Sequence, residues 1–131
     1  MIFNPNLVLC CTSVGFFATS FFGRKQQNIL YNLDTANAIC SLLYWCNPTN
    51  KYKMVLDIVV SNICGFSFFV YGYKYINHNL MRKIAYINGV MMVTLFTSSC
   101  VMYSYNNPYW IGAHTMFHIV VIANKMIVYS F

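Results

Sequence analysis

Acidic residues are nearly absent from this sequence. The 131 residues include two, Asp34 and Asp57, against eight lysines and arginines. Charged residues of both signs make up 8% of the chain, where an ordinary soluble domain carries about a quarter. A chain so poor in charge, and 59% apolar or aromatic, cannot hide that surface inside one water-soluble core of this size. CxxC spacing and a small secreted cysteine framework are also missing. The six cysteines fall in or at the edge of apolar runs, so free thiols packed as small apolar residues are expected. There is no internal repeat and no low-complexity linker. The apolar runs are continuous and not alternating, which excludes the strands of a membrane barrel. The amino terminus lacks a basic region and a clear small-residue cleavage site, so its apolar run is expected to stay as a span.

What is present suits lipid as solvent. A spanning helix needs about 20 residues, and five apolar runs with short connections use up the sequence. They are Asn6 to Phe22, Asn28 to Cys46, Met54 to Tyr73, Ile84 to Ser104, and Trp110 to the carboxyl terminus. Between them lie the basic turn Gly23–Gln27, the breaker Asn47-Pro48-Thr49-Asn50, the polar stretch Lys74–Lys83 with His78, and Asn106-Asn107-Pro108. Tyr103, Tyr105, Tyr109 and Trp110 cluster at a span end, as aromatic residues do at headgroup level. The fold class expected is all-α: a multi-pass transmembrane helix bundle of about five spans, with residues 1–131 as a single transmembrane domain.

The formal charge of +6 is scattered between the apolar runs and not gathered on one face, which argues against nucleic acid as a partner and for membrane lipids. Arg24, Lys25, Lys74, Arg82 and Lys83 share one side, joined there by Lys125 near the end of span five, and only Lys51 and Lys53 lie opposite. The basic excess places the carboxyl terminus in the cytoplasm and the amino terminus outside or in a lumen. A Lys125 that snorkels toward the headgroups is the commoner case, and a buried cation paired with Asp34 is the alternative.

Polar groups inside spans normally face the bundle interior. Asp34, Asn37, Ser41 and Trp45 recur at helical spacing in span two, Asp57, Ser61 and Cys64 in span three, and His114, His118 and Lys125 in span five. Ser41 is late in its span, whereas Asp57, His114 and His118 are early in theirs. All four therefore lie within about two helical turns of one surface, and spans two, three and five are expected in mutual contact. Two histidines at i and i+4 can share a metal ion, with Asp57 as a third ligand, a partner of an imidazole or a base. The alternative is a metal-free clasp in which the histidines hydrogen-bond to Asp57 and Ser41.

These residues resemble the signature of the alkaline ceramidase and progestin/adipoQ-receptor superfamily. The elements are Ser41 in SLLYWCNP, Asp57 in MVLDIVV, and His114 with His118 in AHTMFHIVV. The early NPNLVLCCTSVGFF is similar to the opening span of some members, and small proteins of similar look occur in large DNA viruses. The resemblance covers most of the chain but rests on few residues. It implies zinc held by three histidines, here His114 and His118 with one more, and a catalytic Ser41 and Asp57 supporting a metal-activated water that cleaves a lipid amide or related bond. The chain departs from the pattern in having Trp45 where the resemblance expects a histidine, and five spans where the family has seven. Losing one of three ligands lowers zinc affinity severely unless Asp57 or Cys46 takes the place. The function implied is a ceramidase-like membrane protein with an incomplete zinc site, either non-catalytic or an active zinc-dependent lipid hydrolase. A structural or assembly protein of a viral or organelle membrane is the other reading.

Overall fold

Five helices form among the described residues, and turn-forming residues separate the last four. The computed structural model describes residues 5–23 and 28–131, and residues 24–27 of the expected basic turn lie outside them. The helices are α1 (Pro5–Gly23), α2 (Asn28–Cys46), α3 (Lys51–Tyr75), α4 (Asn79–Ser104) and α5 (Trp110–Tyr129), and no strand occurs among the described residues. The all-α class is therefore as expected.

Boundaries differ where capping overrides hydropathy. Asn50 caps α3, its side chain accepting from the backbone N–H of Tyr52 and Lys53 at 3.0 and 3.2 Å. That satisfies amides that no earlier turn can reach, so the helix starts at Lys51, ahead of the first strongly apolar residue. Most of the polar stretch Lys74–Lys83 is likewise helical, with only residues 76–78 between α3 and α4. The end of α4 is a Schellman closure. Asn106 takes φ 53°, the Asn106 N–H donates to Tyr103 O at 3.0 Å, and the Asn107 N–H donates to Met102 O at 2.9 Å. Asparagine tolerates this left-handed backbone better than most residues, and Pro108 then prevents the helix from resuming.

Burial is inverted relative to a water-soluble domain. Asp34, Asn37, Ser41, Ser99, His118 and Lys125 are buried, while Val55, Val59, Ile63, Ile87, Val101 and Ile119 are exposed. Helices α3, α4 and α5 are long and apolar enough to cross a membrane; α1 has a shorter apolar stretch, Asn6–Phe21. The polar residues that line the interior of α2, Asp34 and Asn37 among them, keep it out of that group.

Around the bundle the order is α3, α2, α1, α5, α4, each packed on the next, and the two ends of this arc, α3 and α4, only graze each other. Of the expected mutual contact of spans two, three and five, α2 packs on α3 and α3 touches α5 lightly, whereas α2 and α5 meet through side chains alone. The backbone of α1 lies between α2 and α5, which meet only through long side chains. The Ile122 side chain of α5 packs over Gly15, its Cδ1 2.6 Å from where a Cβ would sit.

Candidate functional site

The gap between α3 and α4 leads into a cavity of about 770 Å3, within the size range of small-molecule sites. One wall is apolar, with Phe66 and Phe69 from α3 and Val90, Val93 and Phe96 from α4. The polar wall carries Asn37 and Ser41 from α2, Asp57 and Ser61 from α3, and His114 and His118 from α5. All four residues singled out from the sequence, Ser41, Asp57, His114 and His118, therefore line one cavity. Gly65 on α3 and Gly89 on α4 also line it, and a Cβ at either would meet nothing within 4 Å.

Partners of the polar wall differ from those expected. His118 Nδ1 lies 2.8 Å from Thr12 Oγ1, and His114 Nδ1 lies 3.2 Å from Ser99 Oγ. A clasp of both histidines onto Asp57 and Ser41 is thus not what forms. The reason is topological: α1 and α4 flank α5 and offer hydroxyls at closer range. Ser41 is paired with Ser13 of α1 at 3.1 Å. Ser61 donates to Asn37 Oδ1 at 2.7 Å and stands 3.5 Å from Asp57 Oδ1. A serine hydroxyl carries one proton, so the short bond to Asn37 takes it and the long contact leaves Asp57 weakly served. The Ser41 hydroxyl also interacts with the Asp57 carboxylate.

Thr12, Ser13 and Ser99 were not legible as site residues. Each can satisfy its hydroxyl on a carbonyl of its own helix, as all three do, so a serine or threonine in a span carries no signal of its own. Their service to the histidines and to Ser41 becomes visible only when the helices are placed.

The donor set does not fit the three-ligand zinc site that the resemblance implies. Trp45 stands beside the histidines, its ring centroid 5.2 Å from that of His114, but indole Nε1 is only a donor and cannot ligate a metal. That Nε1 is buried without a hydrogen-bond partner among the described residues. The Cys46 thiol lies 3.1 Å from the Cys10 thiol, and among the described residues no three His, Cys, Asp or Glu side chains gather as a metal site.

A second polar cluster lies deeper in the bundle, on the α1–α2–α5 side. Asp34, fully buried, is ion-paired with Lys125 and accepts from Thr19 at 3.0 Å and Tyr129 at 3.1 Å. The Lys125 ammonium also faces the rings of Phe16 and Phe68, at 4.6 and 5.5 Å from their centroids. The snorkelling expected of Lys125 is therefore overturned. The Asp34 carboxylate of α2 pairs with it inside the bundle, where Lys125 is buried.

No protein-family model matches the chain, and neither a curated protein nor a solved structure is similar to it.

Proposed function

We propose that this is a five-span membrane protein that admits one amphipathic lipid sideways through the α3–α4 gap and holds its polar head at Asp57, Ser41 and the two histidines. The head is one that donates hydrogen bonds, a hydroxyl or an amide N–H, because the wall's strongest spare capacity is the Asp57 carboxylate. The acyl chain lies along the phenylalanines and valines of α3 and α4. The protein is a non-catalytic counterpart of the ceramidase-like hydrolases it resembles, with the carboxyl terminus in the cytoplasm and the amino terminus on the opposite side. The observation that carries this is the cavity of about 770 Å3 itself, polar where Asp57, Ser41 and the histidines meet and open between the two most loosely packed helices.

The test uses a photoactivatable, alkyne-tagged N-acyl amino alcohol on the purified protein. Labelling is expected to saturate, to be competed by the untagged lipid, and to map to α3 and α4. Gly65→Leu and Gly89→Leu place a side chain in the opening, at positions where a Cβ meets nothing within 4 Å. They should lower labelling by about tenfold or more, a difference of about 1.4 kcal/mol, while helix content is retained. Unsaturable labelling that neither plug reduces would rule the reading out.

A metal-dependent lipid hydrolase is the second reading. It is favoured by His114 and His118 facing the same cavity as Asp57, and it requires zinc in the wild-type protein.

A further inference from the structure

We infer that Cys10 and Cys46 are the two halves of a disulfide that staples α1 to α2 at the Asn47–Asn50 end of the bundle. Their sulfurs stand 3.1 Å apart, and a disulfide requires about 2.0 Å, a closure of about 1 Å that side-chain rotation supplies. The pairing follows from the register of the two helices and not from one pair of rotamers. Thr19 bonds Asp34 and Ser13 bonds Ser41. Continuing three residues toward the start of α1 and five toward the end of α2 brings Cys10 opposite Cys46. Two other interhelical contacts thus fix the approach. Both thiols are reachable, Cys10 being half-buried and Cys46 exposed. Cys46 is the last residue of α2, next to the turn and so at the aqueous boundary of the bundle.

The chemistry is thiol–disulfide exchange with a small-molecule disulfide such as oxidised glutathione. The Cys46 thiolate attacks the external disulfide, forming a mixed disulfide and releasing one thiolate. The Cys10 thiolate then attacks Cys46 Sγ and expels the second. The two cysteines lose two protons and two electrons, and the external disulfide is reduced to two thiols. Oxidation in the cell needs this face outside the cytoplasm, which rests on the orientation proposed above. The pairing itself does not.

Two measurements separate these points. Full-length protein in detergent, equilibrated with mixtures of oxidised and reduced glutathione, is quenched in acid, denatured and labelled with maleimide-polyethylene glycol. Four of the six cysteines should label, rising to six after reduction. Cys10→Ser and Cys46→Ser should each leave all remaining thiols reactive, whereas Cys11→Ser should leave the pair protected. Mass spectrometry of the wild-type protein should recover the two segments joined through these residues, which decides the matter even where a serine variant fails to fold. Six reactive thiols under oxidising mixtures, or loss of protection in Cys11→Ser, would overturn the pairing. The second measurement labels protein taken straight from alkylated membranes. Protection there supports both the pairing and the orientation. Full reactivity there, with protection in the glutathione experiment, overturns the orientation and leaves the pairing standing.

Discussion

The two acidic residues sit in contrasting surroundings, although each faces the bundle interior from a helix. Asp34 receives a lysine, a threonine and a tyrosine from α1 and α5, and its cation rests against two aromatic rings. Both of its oxygens are occupied. Asp57 is only partly buried and borders the cavity, and its neighbour Ser61 has already given its proton to Asn37. A buried charge is tolerated where its surroundings complete its bonding. The first carboxylate is completed by the protein, and the second has capacity left for something that enters the cavity.

The largest effect should come from opening the closed cluster. Asp34→Ala strands the Lys125 ammonium in the core and is expected to cost about 3–5 kcal/mol, read from thermal or SDS unfolding in micelles. Asp34→Leu combined with Lys125→Met removes both charges and should recover most of that loss. With Asp34→Leu and Lys125→Met also made singly, the interaction energy of that double-mutant cycle measures the pair itself. A cost below about 1 kcal/mol for Asp34→Ala, within the range of ordinary substitutions, would erase the contrast between the two carboxylates.

A somewhat smaller effect, this time a gain of stability, tests the other side of the bundle. Position 45 lies one turn beyond Ser41, and its ring already neighbours that of His114. Trp45→His should supply the missing imidazole, giving close to one zinc per chain by metal analysis. Because the ion binds the folded state, it should add about 2.7 kcal/mol of stability at a hundredfold excess over Kd. His114→Ala in the same background should remove both effects. One zinc per chain in the unaltered protein would instead favour the hydrolase reading, with Trp45 tolerated beside a metal held some other way.

Much of this contrast was legible in the sequence, and the unreadable part has a physical cause. Helical spacing placed Asp34, Asn37, Ser41 and Trp45 on one face, and all four are buried. It also placed His114 and His118 toward the cavity that Asp57 borders. Those inferences needed only the 3.6-residue period and the cost of polar groups in lipid. The position of α1 between α2 and α5 was not legible, because an apolar helix of small and hydroxyl residues says nothing about which neighbour it prefers. Hence the partners of the histidines were misassigned, and Lys125 was expected at the surface when α1 and α2 in fact enclose it. Helix starts were misjudged for a related reason: Asn50 caps through its side chain, a local bond that hydropathy does not register.

The smallest change in stability should accompany a large change in binding. Asp57→Asn keeps the shape of the side chain and alters a group that faces the cavity with few protein partners, so unfolding should shift by less than about 0.5 kcal/mol. Hydrogen bonds to a charged group contribute about 1.5–3 kcal/mol, and a ligand hydroxyl or amide that donates to this carboxylate would lose much of that. Photolabelling by the N-acyl amino alcohol probe should therefore fall about tenfold or more. Ser61→Ala makes the complementary measurement, since its proton already serves Asn37 and its removal should weaken labelling far less. The two variants thus separate a carboxylate that meets the lipid from one that merely fills the wall. If Asp57→Asn destabilises the protein as much as Asp34→Ala, while labelling per folded molecule stays constant, Asp57 is a structural group like Asp34. The cavity would then need a different occupant.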